Sequence, residues 1–298
     1  MSYMPTKLLE KRLLNFLEED INYGDITSEL VPDIPIHANI ISKQEGVVCG
    51  LNFAEILLKS LEVEVSSLFS DGDVVRTGDI VLQLRGLSRA ILTSERTVLN
   101  LLMRLSGIAT QAYNIVEKIK QMDRRTILAS TRKTTPGFRY FEKYAIKIGG
   151  GDPHRWNLSD TVLIKENHLR LLGEDAIPTI LNRSKSTTSF TKKVEIEVEN
   201  LSELRTALKT QPDIIMLDDF SIKEIQEAIV IIKHNTGPIP LIEVSGGISD
   251  QNIDEYIIPG IDIISMGMLT HSAPAIDFSL KIMNISRLSS KGEIEIVD

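Results

Sequence analysis

Basic residues are concentrated in one stretch of an otherwise acidic chain. The sequence from Ser130 to His168, with Arg170 at its edge, carries eight Lys or Arg residues against four Asp or Glu residues, while the whole chain has a formal net charge of -8. The negative charge of the chain as a whole disfavours nucleic acid as a partner, whereas the basic cluster can concentrate a small polyanion in one pocket. The stretch therefore predicts a small, multiply anionic ligand. Cations that merely solvate the surface of an α/β protein are the alternative.

The cations of this stretch follow short β-branched runs. Arg132 and Lys133 follow residues 126–130, Lys165 follows residues 161–164, and His154-Arg155 lie between them, after three glycines. An arginine fork binds carboxylate or phosphate through two parallel hydrogen bonds, whereas lysine supplies a compact point charge. Cations at the ends of neighbouring strands would lie close together and form one site. Cations that only solvate a protein surface need no such arrangement.

Acids and glycines occupy the corresponding positions after later apolar runs. Glu197 and Asp218 are suited to ribose hydroxyls and to Mg²⁺, which prefers oxygen ligands. Ser245-Gly246-Gly247, with a helix start near Ser249, and Met266-Gly267-Met268, with Thr270-His271, could present bare backbone N–H groups to a phosphate. Glycine pairs also serve simply as turns, and the sequence leaves that alternative open.

Short β-branched runs alternate with amphipathic helical patterns after residue 122. The runs are 126–129, 161–164, 194–198, 214–217, 239–244 and 261–265. This alternation predicts parallel βαβ units. The candidate residues lie at or just after the ends of these runs, as in (β/α) barrels, whose sites lie at the C-terminal ends of the strands. A doubly wound open sheet is the second possibility, but its Gly-x-Gly-x-x-Gly turn is absent. Asn200 with Glu203, and Ser221 with Glu224, predict capped helix starts.

The first hundred residues predict a separate α/β unit. Apolar spacing indicates a helix over 8–17 and another over 51–61, one or two strands over 36–48, and a β-hairpin over 71–86. A long helix is expected from an N-cap at Ser94 through Met122, interrupted near Gly107. The hairpin has no lysine in a tight turn, so an attached cofactor is not expected.

Composition and the single cysteine indicate the class of protein and its cellular compartment. The chain has 298 residues, of which 42% are hydrophobic and 25% charged, as in an ordinary soluble globular protein. No apolar run approaches the 18 residues of a membrane span, and the N-terminal stretch has no signal-peptide features. Cys49 excludes an internal disulfide and is expected in the core. These features predict a cytoplasmic protein with no membrane partner.

Longer sequence runs resemble one family. STRKTTPGFR, EKYA, GGGDPHRWNL, LIKENH, VEIEVENL, IIMLDDF, EVSGGI and MGMLTHSAPAIDFSL, together with EDINYGDITS and SERTVLNLLMRLSGIAT, are similar to the quinolinate phosphoribosyltransferases in order and spacing over nearly the whole chain. The resemblance implies an incomplete (β/α) barrel of about seven parallel strands over residues 108–274. It also implies an N-terminal α/β sandwich over 1–107, to which a C-terminal helix over 275–298 returns.

The resemblance also implies a reaction. The pyridine nitrogen of quinolinate attacks C1 of phosphoribosyl diphosphate, diphosphate leaves, and the ring loses its 2-carboxylate as CO₂; Mg²⁺ accompanies the diphosphate, and no bound organic cofactor is needed. Catalysis is assigned to Lys133, Lys165, Glu197 and Asp218. Substrate binding is assigned to Arg96, Thr131, Arg132, Lys133, His154, Arg155, Lys165, Glu197, Asp218, Ser245, Gly246, Gly247, Met266, Gly267, Met268 and His271.

Arg96 and the histidines carry separate expectations. By the resemblance, Arg96 reaches the site of a neighbouring subunit in a homodimer with shared sites, and the dimers could assemble further into a hexamer. His154 and His271 are expected to contact ligand. His168 is either a ligand contact or a helix-start residue, and His37 and His234 are expected at the surface.

Three positions depart from the usual family pattern. Ser130 stands in place of an aspartate, Pro153 in place of an asparagine and Asp219 in place of an asparagine, and the features around Ser130 and residues 152–156 resemble archaeal members. These changes affect positioning and not the direct charge carriers. Two other functions remain open: the same fold acting on another acid, as in homologues associated with molybdenum uptake or on nicotinate without decarboxylation, and a non-catalytic phosphate-binding barrel.

Overall fold

Two compact units make up the chain, which passes from the first to the second within one helix and returns to the first after Ser272. The computed structural model describes residues 4–122, 125–173, 176–288 and 294–297. The first unit takes the chain up to Gln111 together with the segment from Ala273 onward, and the second runs from Ala112 to Ser272. The boundary falls inside helix α3 (Ser88–Met122).

The first unit is built around an antiparallel sheet of five strands, whose order is β13-β12-β1-β5-β3. Its elements are α1 (Thr6–Ile21), β1 (Pro35–Ser42), β2 (Gly46–Val47), α2 (Leu51–Ser60), β3 (Glu64–Ser66), β4 (Val74–Val75), β5 (Ile80–Leu87), the first part of α3, β12 (Phe278–Leu288) and β13 (Ile294–Val297), with a short 3₁₀ turn at Ser28–Leu30. The predicted helices and strands before residue 66 are thereby confirmed.

Sequence periodicity explains how these elements bury their apolar sides. Leu9, Leu13 and Leu17 repeat every fourth residue of α1, and all three are buried on one face. In β1 the side chains of Ile36, Ala38 and Ile40 alternate with more exposed ones at its beginning, as expected for a strand that covers a core with one face. Cys49 is fully buried as predicted, and burial raises the pKa of its thiol.

The C-terminal segment is not the helix that was predicted over residues 275–298. It forms β12, which pairs antiparallel with β1 so that Leu280 lies opposite Ile40 and Phe278 opposite Ser42, and then β13, which pairs with β12. Residues 289–293 and 298 of that predicted helix lie outside the described residues. The free hydrogen-bonding edge of β1 decides the conformation, because tertiary pairing outweighs local helix propensity.

Two further predictions for the first unit were wrong. Helix α3 begins at Ser88, six residues before the expected N-cap, and continues through Gly107; the Ser94 hydroxyl donates to the Ala90 carbonyl inside the helix. The expected hairpin over 71–86 does not pair with itself. Instead β4 pairs with β2, and β5 pairs with β1 and β3.

The second unit alternates strands and helices as predicted. After the end of α3 come β6 (Ile127–Ala129), α4 (Arg139–Ile148), β7 (Val162–Ile164), α5 (Glu166–Arg170), α6 (Ala176–Thr187), β8 (Val194–Val198), α7 (Leu201–Lys209), β9 (Ile214–Asp218), α8 (Ile222–Lys233), β10 (Leu241–Ser245), α9 (Ile253–Tyr256), β11 (Ile263–Ser265) and α10 (Met268–His271). Strand pairing is parallel throughout this sheet.

The strand order is that of an open barrel. Each strand from β7 to β10 pairs with the next one in the chain, and β6, the first strand, pairs with β11, the last. First-to-last pairing is how a (β/α) barrel closes, whereas a doubly wound sheet reverses its order at a switch point. A parallel bridge between Ala129 and Asp152 adds one residue beyond β6. The barrel therefore has six strands and a one-residue bridge where about seven strands were expected.

Capping residues fix where the barrel helices begin. The Ser221 hydroxyl and the Glu224 carboxylate form the expected capping box at α8. At α7, the Asn200 side chain accepts from the N–H groups of Ser202 and Glu203. The helix expected near Ser249 starts four residues later, because Asn252 first closes a turn on the Ser249 N–H.

No helix among the described residues is both long enough and apolar enough to span a membrane.

Candidate active site

Polar residues collect where the parallel strands end. Asp218 is the last residue of β9, Ser245 is the last of β10, and the two lie opposite one another in the strand register. Glu197 is the fourth of the five residues of β8, and Lys165 follows β7 directly. Because parallel strands end at the same edge, the fold brings these side chains to one side of the sheet.

Lys133, Lys165, Glu197 and Asp218 form one electrostatic group. The Lys165 ammonium is ion-paired with the Glu197 carboxylate, which is buried. Burial, and then repulsion from Glu197 and Asp219, raise the pKa of Asp218, while Lys165 and Lys133 act in the opposite direction. The four residues assigned to catalysis from the sequence thus lie within reach of each other's charges.

Asp219 and Gly246 are packed tightly against each other beside this group. Asp219 adopts φ +55°, a left-handed conformation that Asp and Asn tolerate better than most residues, and its N–H donates to the Ser245 carbonyl. A Cβ on Gly246 would lie 2.1 Å from the Asp219 Oδ1. Aspartate at position 219 therefore keeps the backbone shape that the usual asparagine would also allow.

Gly247, which follows Gly246, has open space around it. Its φ is +59°, and a Cβ placed there would meet no atom within 4 Å. The Asn252 amide donates to the Gly247 carbonyl and so stabilises the loop after β10. Helix α9 has only four residues, so the backbone N–H groups of this loop, and not a helix dipole, are what a phosphate would contact here.

A second glycine loop lies beside Lys133. A Cβ on Gly267 would come within 2.9 Å of the Lys133 Cδ and 3.2 Å of the His271 Nε2, so the missing side chain allows both groups to approach. The Thr270 hydroxyl donates to the Lys133 carbonyl, at 2.8 Å, and ties the loop after β11 to the loop after β6. Met266 is buried beneath this loop, and Met268 is half-buried.

Arg132 and Arg155 form a second cationic group. Arg155 is buried and donates from Nη1 to the Thr161 carbonyl at 3.4 Å; burial, and then repulsion from Arg132, lower its pKa. Among the described residues, the buried Nε of Arg132 has no hydrogen-bond partner. Two cations close together, one with an unpaired donor, are an arrangement that an anion would stabilise.

His154 belongs to this second group, and two residues that sequence reasoning missed lie against it. Its Nε2 lies 3.4 Å from Glu195 Oε2 and 3.5 Å from Glu243 Oε2, and both glutamates are fully buried. Glu195 occupies the second position of β8 and Glu243 the third of β10. A charged residue inside an otherwise apolar parallel strand is the signal that could have identified them.

Several basic residues of the original stretch are structural. Lys143 is fully buried and donates to the Ser130 hydroxyl and to the Pro153 carbonyl. Arg139 donates to the Thr134 hydroxyl and the Trp156 carbonyl. Helix α4 thus holds the loops that carry Arg132 and Arg155, and its own cations are not part of the candidate site.

The remaining predicted residues have defined places. The Thr131 hydroxyl accepts from the Lys133 N–H at 3.1 Å, which shapes the loop after β6. His168 Nδ1 accepts from the Lys165 N–H at the start of α5, a helix-start role. Arg96 is exposed on the part of α3 that belongs to the first unit, two turns into the helix. His37 and His234 are exposed, as predicted.

The parallel barrel, with acids, cations and glycine loops at its strand ends, defines a (β/α)-barrel enzyme. Comparison with known proteins gives the family. The profile described as "Quinolinate phosphoribosyl transferase, C-terminal domain" matches residues 108–281, and that of the N-terminal domain matches residues 25–106. This chain belongs to the quinolinate phosphoribosyl transferase family.

Named relatives cover almost the full chain. A probable carboxylating nicotinate-nucleotide pyrophosphorylase of Methanocaldococcus jannaschii is 45% identical over 92% of this chain and 96% of its own. The human carboxylating nicotinate-nucleotide pyrophosphorylase is 35% identical over 94% of this chain and 93% of its own. The solved structure of the nicotinate-nucleotide pyrophosphorylase from Francisella tularensis is 39% identical, with a TM-score of 0.87 over 95% of this chain and 98% of that one.

Proposed function

We propose that this protein transfers the phosphoribosyl group of phosphoribosyl diphosphate to quinolinate and decarboxylates the product, giving nicotinate mononucleotide, CO₂ and diphosphate. The observation that carries the proposal is the grouping of two kinds of site on one barrel. Lys133, Lys165, Glu197 and Asp218 lie together beside two glycine loops. Arg132, Arg155 and His154 belong to a second cationic group, which is linked to the first through the adjacent residues Arg132 and Lys133. The relatives named above support the same activity.

The charges suit the two substrates. Quinolinate has two carboxylates and phosphoribosyl diphosphate has several phosphate charges, so the substrates repel each other in water. Fixed cations offset this repulsion and hold the pyridine nitrogen in line with C1. The nitrogen lone pair forms the new bond to C1, and the electron pair of the broken C1–O bond leaves with diphosphate.

The decarboxylation step follows from the first bond. Once the ring nitrogen is bonded to C1 it is cationic. When the bond between ring carbon 2 and its carboxylate breaks, CO₂ leaves, and the electron pair stays on that carbon until a proton from solvent replaces it. The positive ring nitrogen next to this carbon stabilises the pair, so the protein's residues need only orient the ring.

Magnesium is part of the proposal. Glu197 and Asp218 offer carboxylate oxygens, the donor type that Mg²⁺ prefers, and crowding with Glu197 and Asp219 contributes to the raised pKa of Asp218. These two residues would hold the ion directly or through water. Bound together with diphosphate, Mg²⁺ would neutralise charge on the leaving group.

A homodimer in the cytoplasm completes the proposal. Tyr23, Ile26 and Leu30 are large apolar side chains that lie close together in sequence in the first unit and are 100, 78 and 81% exposed. A second copy of the chain would remove such side chains from water. The buried Cys49, the single cysteine of the chain, fits a reducing compartment.

A product assay tests the activity. The protein is incubated with quinolinate, phosphoribosyl diphosphate and Mg²⁺, and CO₂ and nicotinate mononucleotide are measured, with nicotinate as the competing acid and Lys133→Ala as the inactive control. We expect equal amounts of both products from quinolinate and a preference over nicotinate of orders of magnitude, since cations built for two carboxylates would be left unpaired by one. Comparable use of nicotinate would instead support a family member with a different acid substrate.

A further inference from the structure

Two buried acids lie in the middle of the barrel strands, outside the group assigned to catalysis. Glu195 and Glu243 are each 0% exposed. Strands of a parallel sheet covered by helices are expected to be almost continuously apolar, and a buried charge is costly unless it is paired. These glutamates therefore need a partner.

A neighbouring cation supplies that partner. Among the described residues, none of the four carboxylate oxygens of Glu195 and Glu243 has a hydrogen-bond partner. The nearest cation is His154, whose Nε2 lies 3.4 and 3.5 Å from the two carboxylates. Burial opposes the charge on His154, but the close contacts with Glu195 and Glu243 outweigh it and raise the pKa of the imidazole to about 9.

The charges of this cluster balance without a metal ion. Burial, and then repulsion from Glu243, raise the pKa of Glu195, while His154 and Arg155 act in the opposite direction. Glu195 in turn favours the charged form of the buried Arg155. His154 and Arg155 thus offset Glu195 and Glu243. His154, Glu195 and Glu243 could also offer three ligand atoms to a metal ion, since these atoms lie within 4.8 Å of one another. A divalent ion beside Arg155 would leave the cluster with excess positive charge.

We propose that Glu195 and Glu243 are positioning residues that hold His154, and through Glu195 also Arg155, as fixed cations for the carboxylates of the acid substrate. The inference rests on the proposed function. Arg132, close to Arg155, has an unpaired buried Nε, so the open side of the cation group is suited to an anion. No hydrogen bond from His154 Nδ1 occurs within the described part of the chain, which leaves that edge of the ring for a ligand.

Strand β8 would then serve both substrates with one face. Side chains two positions apart on a strand point to the same side, so Glu195 and Glu197 share a face of β8. Glu197, paired with Lys165, belongs to the group proposed for phosphoribosyl diphosphate. Glu195 lies two residues before Glu197 on the strand and positions the cations that would bind the acid substrate.

Glutamate-to-glutamine substitutions test the proposal, because the amide keeps the shape of the side chain but removes its charge. We expect Glu195→Gln and Glu243→Gln each to raise the KM for quinolinate at least tenfold at pH 8, with kcat changed less than threefold and the KM for phosphoribosyl diphosphate less than twofold. The matched control is Glu227→Gln on the exposed side of α8, which should leave all three constants unchanged. Circular dichroism and thermal unfolding confirm that each variant is folded.

The pH dependence separates charge from packing. Without one glutamate, His154 should titrate nearer its ordinary range, so the ratio of quinolinate KM between Glu195→Gln and wild type should be at least tenfold at pH 8 and fall below threefold at pH 6. The charged groups around His154 and Arg155 include Glu195 on β8, Glu243 on β10, Arg132 after β6 and Asp160 before β7. Asp152, which accepts from the His154 N–H, and Lys193 border the same cavity. This cavity, of about 390 Å³, borders His154, Arg155 and Glu195. It is also lined by Ile127, Ile214 and Leu241, the first residues of β6, β9 and β10, so the cluster can exchange protons with solvent from the N-terminal side of the barrel strands.

Several outcomes would overturn the inference. A KM ratio that is the same at pH 6 and pH 8, or a loss confined to kcat, would indicate a purely structural role or a direct part in chemistry. Wild-type protein that retains one equivalent of Zn²⁺ or Mn²⁺ after dialysis, lost in Glu195→Gln, would identify a metal site instead. Normal activity in both glutamine variants rejects the inference alone, whereas a wild-type protein that does not use quinolinate rejects it together with the proposed function.

Discussion

The basic residues of the stretch from Ser130 to Arg170 include cations at the strand ends and a buried cation with a structural role. Lys133, Lys165 and Arg132 follow the barrel strands, as their positions after β-branched runs predicted. Lys143 looks similar in sequence but is fully buried in α4, where its partners are the Ser130 hydroxyl and the Pro153 carbonyl. These partners are two of the three departures from the family pattern, so the substitutions at 130 and 153 meet at one buried ammonium.

Lys143 should give the folded protein a distinct pH dependence. Burial first, and repulsion from Arg139 next, lower its pKa to about 8 from 10.5. Between these values the unfolded chain holds a proton that the folded one has lost, so the free energy of unfolding should rise with pH from 8 to 10.5. Ser130→Asp would place a carboxylate beside the ammonium and raise its pKa, worth about 1.4 kcal/mol per pKa unit at pH 7.

Urea unfolding at pH 7 and pH 10 checks this. We expect Ser130→Asp to be more stable than wild type by about 1–3 kcal/mol at pH 7, and the difference to shrink at pH 10. Ser189→Asp, an exposed change of the same type, controls for added surface charge. A pH-independent difference between Ser130→Asp and wild type would show that Lys143 titrates at its ordinary pKa.

Gly246 should be the most sensitive glycine of the candidate site. Its φ is +95°, and a Cβ would lie 2.1 Å from Asp219 Oδ1 and 2.6 Å from its backbone nitrogen. Gly246→Ala must therefore displace Asp219 and the loop proposed for phosphate, and we expect kcat/KM for phosphoribosyl diphosphate to fall more than tenfold, at least about 1.4 kcal/mol.

Gly78 provides a matched control for backbone strain. Its φ is +96°, but a Cβ there meets nothing within 4 Å. Gly78→Ala should show the cost of an alanine at positive φ, about 1–3 kcal/mol, in thermal stability and leave kcat/KM unchanged. Equal activity of the Gly246 and Gly78 variants would mean that the loop after β10 does not contact substrate.

Helices and strands with strong local signals could be predicted, and elements decided by distant pairing could not. The capped helices α7 and α8 and the apolar runs of the barrel have their determinants within a dozen residues. Strand β12 depends on an edge of β1 more than two hundred residues earlier, which no local pattern records. In the candidate site, Glu195 and Glu243 were missed for the same reason, because only folding brings them to His154.

Gly107 illustrates how a distant contact alters the interpretation of one residue. The glycine was expected to interrupt α3, yet the helix continues through it. The backbone at Pro274 packs against Gly107, and a Cβ on Gly107 would lie 2.0 Å from the Pro274 carbonyl oxygen. Ala normally favours a helix over Gly by about 1 kcal/mol. Here we expect Gly107→Ala to destabilise the protein by about 1–3 kcal/mol, because the segment before β12 must move away.

Thermal unfolding of Gly107→Ala checks this expectation against Asn100→Ala. Asn100 is exposed on the same helix, so its replacement should change stability by no more than about 0.5 kcal/mol. A stability for Gly107→Ala at or above that of Asn100→Ala would show that the contact with Pro274 has little energetic weight.

The candidate residues lie on both compact units of the molecule. Arg96 is exposed on the first unit, whereas the other assigned cations, acids and glycine loops all belong to the second. If the proposed homodimer has the shared sites that the family resemblance implies, each chain would supply Arg96 to its partner. In an isologous pair the exchange is mutual, so both sites would depend on assembly.

Mixing two inactive variants tests whether the site is shared. Arg96→Ala and Arg132→Ala should each be inactive as homodimers, yet a mixed dimer contains one site in which both arginines are intact. With random pairing half of the dimers are mixed and one of their two sites works, so activity should recover to roughly a quarter of wild type. If Arg96 served its own chain, every site would lack one arginine. Subunit exchange verified by mass spectrometry, with no recovery of activity, would therefore exclude sharing through Arg96 while leaving the transferase assignment intact.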